Sequence, residues 1–243
     1  REDHLGTYFA GIEGYPEDSV ARTFTRNGLI QIFQKCGMQE YQFYYPYPDY
    51  KLMTMLHSDH YMPKLGELFD NVRNYDRDRM TLFNEKYAYD GLIQDEMYPE
   101  FANSFEVILG PPFPVAYCKY SNDRADEFKV RTDISTDKAG RKVIRKYPLT
   151  EAAKEHIVNI RDAYLALVER FKGGDLEIND CQIAEGTSVA TFSYVNGVPL
   201  SALMDKCLAA DDMEGFQKLF QEYLRRISYR DDYPVADYDL IFP

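Results

Sequence analysis

Phe192-Ser-Tyr-Val-Asn-Gly-Val-Pro-Leu200 reads as a buried strand that runs into a Gly-Pro elbow and then into a helix. Working back from it, Val189–Val195 and Leu176–Ile183 supply two strands. A long amphipathic helix before them starts near Thr150, after Pro148. Its apolar face is Ala153, Ile157, Ile160, Tyr164, Leu167 and Phe171, spaced 4, 3, 4, 3, 4, and Gly173-Gly174 ends it. His156 falls on the polar side of this helix and is expected to be solvated. Val115–Tyr120, Phe128–Ile134 and Lys142–Tyr147 come earlier still. They are short strands separated by Ser-Asn-Asp and Asp-Lys-Ala-Gly turn clusters, which predicts an antiparallel meander. Beyond the elbow a short helix starts near Leu200. A last helix, capped near Asp211 or Asp212, carries Phe216, Leu219, Phe220, Tyr223, Leu224 and Ile227.

Gly110-Pro-Pro-Phe-Pro114 is the clearest boundary, because prolines stiffen the chain and cannot continue a ladder. It divides the chain into residues 1–112 and 113–243. In the first part, residues 1–24 are Gly-rich and irregular. A helix follows, with Thr25 as N-cap, Leu29, Ile32, Phe33 and Cys36 on its apolar face, and Gly37 as terminator. Tyr41–Tyr45 reads as a strand closed by Pro46 and Pro48. Residues 49–80 read as an insertion with a short helix near 64–72; another helical stretch lies near 82–95, and Phe101–Leu109 reads as a second strand.

Composition narrows the function classes. A net charge of −12 gives no field to gather nucleic acid or an anionic membrane. No apolar run approaches the roughly 18–20 residues that span a bilayer. The 4 cysteines form no CxxC pair, Cys36 and Cys181 read as small core residues, and a reducing, cytoplasmic setting follows. His57 and His60 flank Asp59, too few convergent ligands for a metal site, so no metal is expected. The 21 Tyr and absent Trp suit sugar or partner contacts, or are compositional drift.

Two regions carry candidate chemistry. In Val143-Ile-Arg-Lys146 the strand projects Lys146, with Glu151 or Glu155 on the next helix as its partner. Three strands, a helix, two strands, a Gly-Pro elbow and helices is the element order of a kinase small lobe with its hinge. That reading makes Lys146 and Glu155 nucleotide-binding, with ATP and Mg as cofactors; the alternative is an exposed edge strand with solvated cations. The loop Ser121-Asn-Asp-Arg-Ala-Asp-Glu127 has no glycine and cannot wrap phosphates with bare backbone. This disfavours an ordinary protein kinase. It leaves a small-molecule phosphotransferase of the aminoglycoside or choline type, or a kinase-like lobe that serves as a scaffold. In the first part His4 is a candidate general base or a surface loop histidine. Phe43-Tyr-Tyr-Pro-Tyr-Pro-Asp-Tyr50, with Tyr45 and Tyr47, either lines a sugar-binding face or is a strand end packed on the insertion.

Arg1-Glu-Asp-His-Leu-Gly-Thr-Tyr-Phe-x-Gly-Ile-x-Gly-Tyr15, Ala21-Arg-Thr-Phe-Thr25, Phe43-Tyr-Tyr-Pro-Tyr-Pro-Asp-Tyr-Lys51 and Phe101-Ala-Asn-Ser-Phe105, in that order, resemble the C-terminal part of a bacterial class I S-adenosylmethionine-dependent methyltransferase. The group it resembles is linked to surface-polysaccharide synthesis, and a kinase-like region or glycosyltransferase modules often follow the methyltransferase there. The resemblance implies an α/β fold for residues 1–112, a partial Rossmann-like domain ending in a last crossover helix and two final strands. An α+β kinase-like small lobe with its hinge and first large-lobe helices would follow. It implies S-adenosylmethionine as cofactor, with the binding loop ahead of Arg1, so that the chain is a piece of a larger protein. It also implies a sugar or glycan-precursor substrate and other glycan-biosynthesis enzymes as partners. Glu2, Asp3, Tyr45 and Tyr47 become substrate contacts and His4 the catalytic candidate.

Overall fold

A computed structural model describes residues 24–69, 83–111 and 113–234 of the chain, which is a mixed α/β protein. The chain divides into two units, Arg1–Asn122 and Asp123–Pro243.

In the first unit the helix α1 (Arg26–Lys35) starts where Thr25 accepts a hydrogen bond from the Gly28 N–H at 3.0 Å. It ends where Gly37 takes φ 71°, a region open to glycine. Phe33 packs on Tyr41 and Phe43, with ring centroids 5.2 and 6.3 Å away. Cys36 is exposed rather than in the core, because it is the C-cap, where the helix has run past its packed face. The strands β1 (Tyr41–Tyr47) and β2 (Met55–Ser58) form an antiparallel pair in which Tyr45 lies opposite His57. On the far side of β1 runs β3 (Glu106–Leu109), also antiparallel, with Tyr44 opposite Glu106. β4 (Val115–Tyr120), which the sequence groups with the second half, pairs with β2 through Leu56 and Cys118. The order in this unit is β3-β1-β2-β4.

Pro46 lies inside β1 and does not close it. Even-numbered residues of this segment bond toward β3, as Glu40 does in accepting from the Gly110 N–H. β3 reaches back only to the position facing Tyr44, so the N–H that Pro46 lacks would have had no acceptor. The expected strand from Phe101 is also shorter. Pro99 opens the one-turn helix α3 (Tyr98–Phe101), which follows α2 (Glu85–Gln94, capped by Asn84), and pairing starts only at Glu106. Residues 65–67 form a turn in place of the helix expected there, because Gly66 takes φ 77°.

The second unit begins with a one-turn 3-10 segment, Asp126–Phe128, and then the hairpin β5 (Val130–Thr136) and β6 (Lys142–Pro148). Asp137 holds the turn by accepting from the Ala139 and Arg141 N–H groups at 2.8 and 2.9 Å. The helix α4 (Ala153–Arg170) links β6 to β7 (Cys181–Ile183), and β8 (Ala190–Ser193) lies between β6 and β7. The order is β5-β6-β8-β7, all antiparallel.

The anticipated face of α4 makes the core. Ile157 is fully buried against Val130, Cys181 and Ala190, with Ile160, Tyr164, Ile183 and Phe192 around them. Burying an isoleucine this way stabilises by roughly 1.5–3 kcal/mol. Gly173-Gly174 ends the helix; a Cβ on Gly174 would stand 3.1 Å from the Tyr229 ring. His156 is half-buried and not solvated, because Phe128 meets its ring edge-on at 5.3 Å. The last helices are α5 (Leu200–Ala209) and α6 (Met213–Ile227), the latter capped by Asp212 on the Gly215 N–H.

Candidate functional site

β1 is buried on both faces from Gln42 to Tyr47, so its tyrosines become core residues whose hydroxyls must find partners inside. Tyr45 is 0% exposed, and its ring packs on Tyr98 and Phe105. Its hydroxyl donates to Asp59 Oδ1 at 2.5 Å and accepts from Arg26 Nε at 3.1 Å. Arg26 Nη2 closes the triangle on Asp59 at 3.1 Å, and its Nη1 lies 3.8 Å from Glu100. Burial first, then the bond to Asp59 and its charge, push the Tyr45 phenol above its ordinary value. The group joins the first residue of α1 to the residue after β2. Tyr47 is equally buried and donates to the Phe69 carbonyl.

The structure thus brings Tyr45 and Tyr47 together as core side chains with engaged hydroxyls, and not as rings presented to a sugar. Glu2, Asp3 and His4 lie outside the described residues.

His57, opposite Tyr45, is 0% exposed and neither ring nitrogen has a hydrogen-bond partner. Tyr117, Tyr98 and Tyr61 surround it with ring centroids at 5.1, 6.3 and 6.5 Å. Burial drops its pKa to about 4; the Tyr61 backbone opposes this without reaching bonding geometry. Inside this box the imidazole is neutral. Among the described residues no three His, Cys, Asp or Glu side chains gather as a metal would need.

The second unit separates its charges by sheet face. Lys146 on β6 lies opposite Thr132 and Ala190, on the face that α4 covers, and its Nζ is 5.9 Å from the Phe192 ring centroid. Arg145 points the other way and donates to Ser135 at 2.6 Å. On that face Arg131 pairs with Asp133 at 2.9 Å and lies over the Tyr147 ring. Asp133 is 2% exposed, and its Oδ1 has no partner. Burial raises its pKa against the pull of Arg131 and Arg145.

Glu155 is exposed on the side of α4 turned from the sheet, and among the described residues no ion pair joins it to Lys146. Glu151 pairs with Lys154 at 2.8 Å. Burial lowers the pKa of His156 on α4, and the charges of Lys146 and Arg124 lower it further.

Sequence reasoning missed Arg26 and Asp133, and it weighed His57 and Asp59 only together, as too few ligands for a metal. Nothing local marks Arg26, which meets Tyr45 and Asp59 only through the fold. Among the described residues no strand of the first unit runs into a glycine-rich turn and then a helix, as an S-adenosylmethionine site needs. No helix among the described residues is long and apolar enough to cross a membrane. No family model, curated protein or solved structure matches the chain.

Proposed function

We propose that the second unit is the small lobe of a kinase-like phosphotransferase for small molecules, with Lys146 directed at nucleotide phosphates. The observation that carries this reading is the position of Lys146. It sits on a central strand of the order β5-β6-β8-β7, facing the side covered by the helix that joins β6 to β7. A kinase lobe carries its phosphate lysine on its third strand, and β6 is third when counted in chain order from β4. Bound ATP with Mg would supply the phosphoryl group. What the chain contributes is a fixed ammonium that offsets phosphate charge, held straight by the ladder on both sides of β6. Isothermal titration of the chain with ATP and Mg tests it. Binding that weakens at least about tenfold in Lys146→Ala supports the reading; no binding by the wild type sinks it.

A second reading concerns the first unit. The helix α1 feeds β1, and the later strand β3 returns antiparallel beside it as the outermost strand. This supports the end of a methyltransferase fold of the S-adenosylmethionine class that acts on a sugar or glycan precursor, in company with other glycan-biosynthesis enzymes. Transfer to a sugar hydroxyl needs proximity and in-line approach more than a strong base. Titration of the full-length protein with S-adenosylmethionine tests it, and absence of binding would remove it. Failure of both titrations leaves a non-catalytic scaffold.

A further inference from the structure

His57 sits on β2, a strand paired on both sides, to β1 with Tyr45 opposite and to β4 through Leu56 and Cys118. Two walls of the ring box around it belong to regular elements, Tyr117 to β4 and Tyr98 to α3. The third wall does not. Tyr61 lies nearly parallel to the imidazole, with 15° between the rings, on a run of turns from Asp59 to Leu68.

That run is a strap, firm at its ends and lightly held between. Asp59 is bonded to Arg26 and Tyr45, and Leu68 is fully buried. Inside it the backbone bonds are short-range: Tyr61 and Ser58 exchange theirs at 3.0 and 3.2 Å, and the Glu67 N–H donates to the Lys64 carbonyl at 3.0 Å. A longer tie runs from the Gly66 N–H to Asp90 at 2.8 Å. Lys64, Leu65 and Gly66 are exposed.

A proton on the imidazole makes both ring nitrogens donors, and neither has an acceptor in the box. The Tyr61 carbonyl is off bonding geometry and already accepts from the Ser58 N–H. A buried charge without a partner is strongly unfavourable, so the ring must meet water. Of the three walls, Tyr61 alone can move without breaking a ladder or a helix. The groups that face the box are the phenols of Tyr45, Tyr61, Tyr98 and Tyr117, which stay neutral in acid. Around them stand Asp59 with Arg26 of α1, Glu100 of α3 beside Arg26, and Glu67, which accepts from the Lys64 N–H at 2.9 Å.

We propose that Asp59–Leu68 is an acid-released strap: protonation of His57 swings Tyr61 off the box and admits solvent to His57 and Tyr117, while the ladders of the first unit stay paired.

Amide hydrogen exchange of the full chain, corrected for the intrinsic rate at each pH, tests it. In wild type the protection of the bonded Tyr61, Gly66 and Glu67 amides is expected to fall by up to about tenfold per pH unit between about pH 6.5 and 4, with the β1 and β5 amides unchanged. In His57→Phe the fall is expected to vanish, and in Glu67→Gln to persist. No fall in wild type, an undiminished fall in His57→Phe, or a flat profile in Glu67→Gln overturns the strap. Loss of β1 protection in parallel overturns it too, because the unit then unfolds as a whole. Tyr61→Ala keeps the histidine and removes only the movable wall, so its strap amides are expected to be open at every pH; protection there that still falls with pH as in wild type sinks the proposal even if His57→Phe does not fold.

Discussion

The first unit fills its core with rings that carry hydroxyls, whereas the second packs α4 on its sheet with Val130, Ile157, Cys181 and Ala190 and keeps its Arg131–Asp133 pair on the other sheet face. Tyr44, Tyr45 and Tyr47 each bring a polar tip indoors, and each tip is tied down, to the Val115 carbonyl, to Asp59 and to the Phe69 carbonyl. Geometry there is fixed by bonds at the ring tips as well as by contact. In the second core contact alone does the work, so its side chains are more interchangeable.

The largest expected effect comes from Tyr45→Ala, which removes a fully buried ring and strands Asp59 beside Arg26. It should cost about 3–5 kcal/mol in urea unfolding, and Tyr45→Phe about 1–2 kcal/mol for the hydroxyl alone. Equal costs for the two variants would mean that the ring contributes nothing beyond its tip, and the contrast would fail.

Acid gives the next effect. His57 is held near 4 when folded, below its unfolded value of about 6.5. Its contribution is fully present above pH about 6.5 and is lost as pH falls toward 4, by up to about 3 kcal/mol. The pH dependence of the urea midpoint in His57→Phe should be flatter over that window than in wild type. An unchanged slope would place His57 in a solvated site.

In the second core Ile157→Val should cost only about 0.5–1.5 kcal/mol by the same measurement. A loss as large as that of Tyr45→Ala would show that the two cores do not differ in kind.

The smallest effect has the opposite pH sign. Asp133 is raised by burial, so ionising it costs stability as pH rises from its unfolded range through its folded value, and Arg131 offsets part of that cost. Asp133→Asn should remove this dependence, which begins in the ordinary carboxylate range and extends above it. A steeper one in the variant would reverse the assignment.

How far these features could be read in advance depended on how local their causes are. The face of α4, the caps Thr25 and Asp212, and the turn at Gly173-Gly174 follow from neighbours in sequence, and the structure has them. Pro46 misled because a proline's meaning depends on which side of the strand has a partner, and that is set by β3, about sixty residues further on. His156 looked solvated by helix periodicity, but a residue from outside the helix, Phe128, covers it. The Arg26–Tyr45–Asp59 group unites three segments that only the sheet brings together. Lys146 was visible as a strand lysine; that Glu155 faces away from the sheet needed the rotation of α4 about its axis.

Pro46 works as a stop in a zipper. Should β3 grow backward past Glu106, its next bonded position would face a residue with nothing to give, so the two strands cannot lengthen together at that end. The stretch Ala102–Phe105 is thereby released from the ladder to do other things. There Asn103 clasps the Pro48 carbonyl at 3.0 Å, and Phe105 turns its ring onto Phe43 and Tyr45. A missing hydrogen on one backbone nitrogen is, in this sense, what lets the aromatic core close over the end of its own sheet.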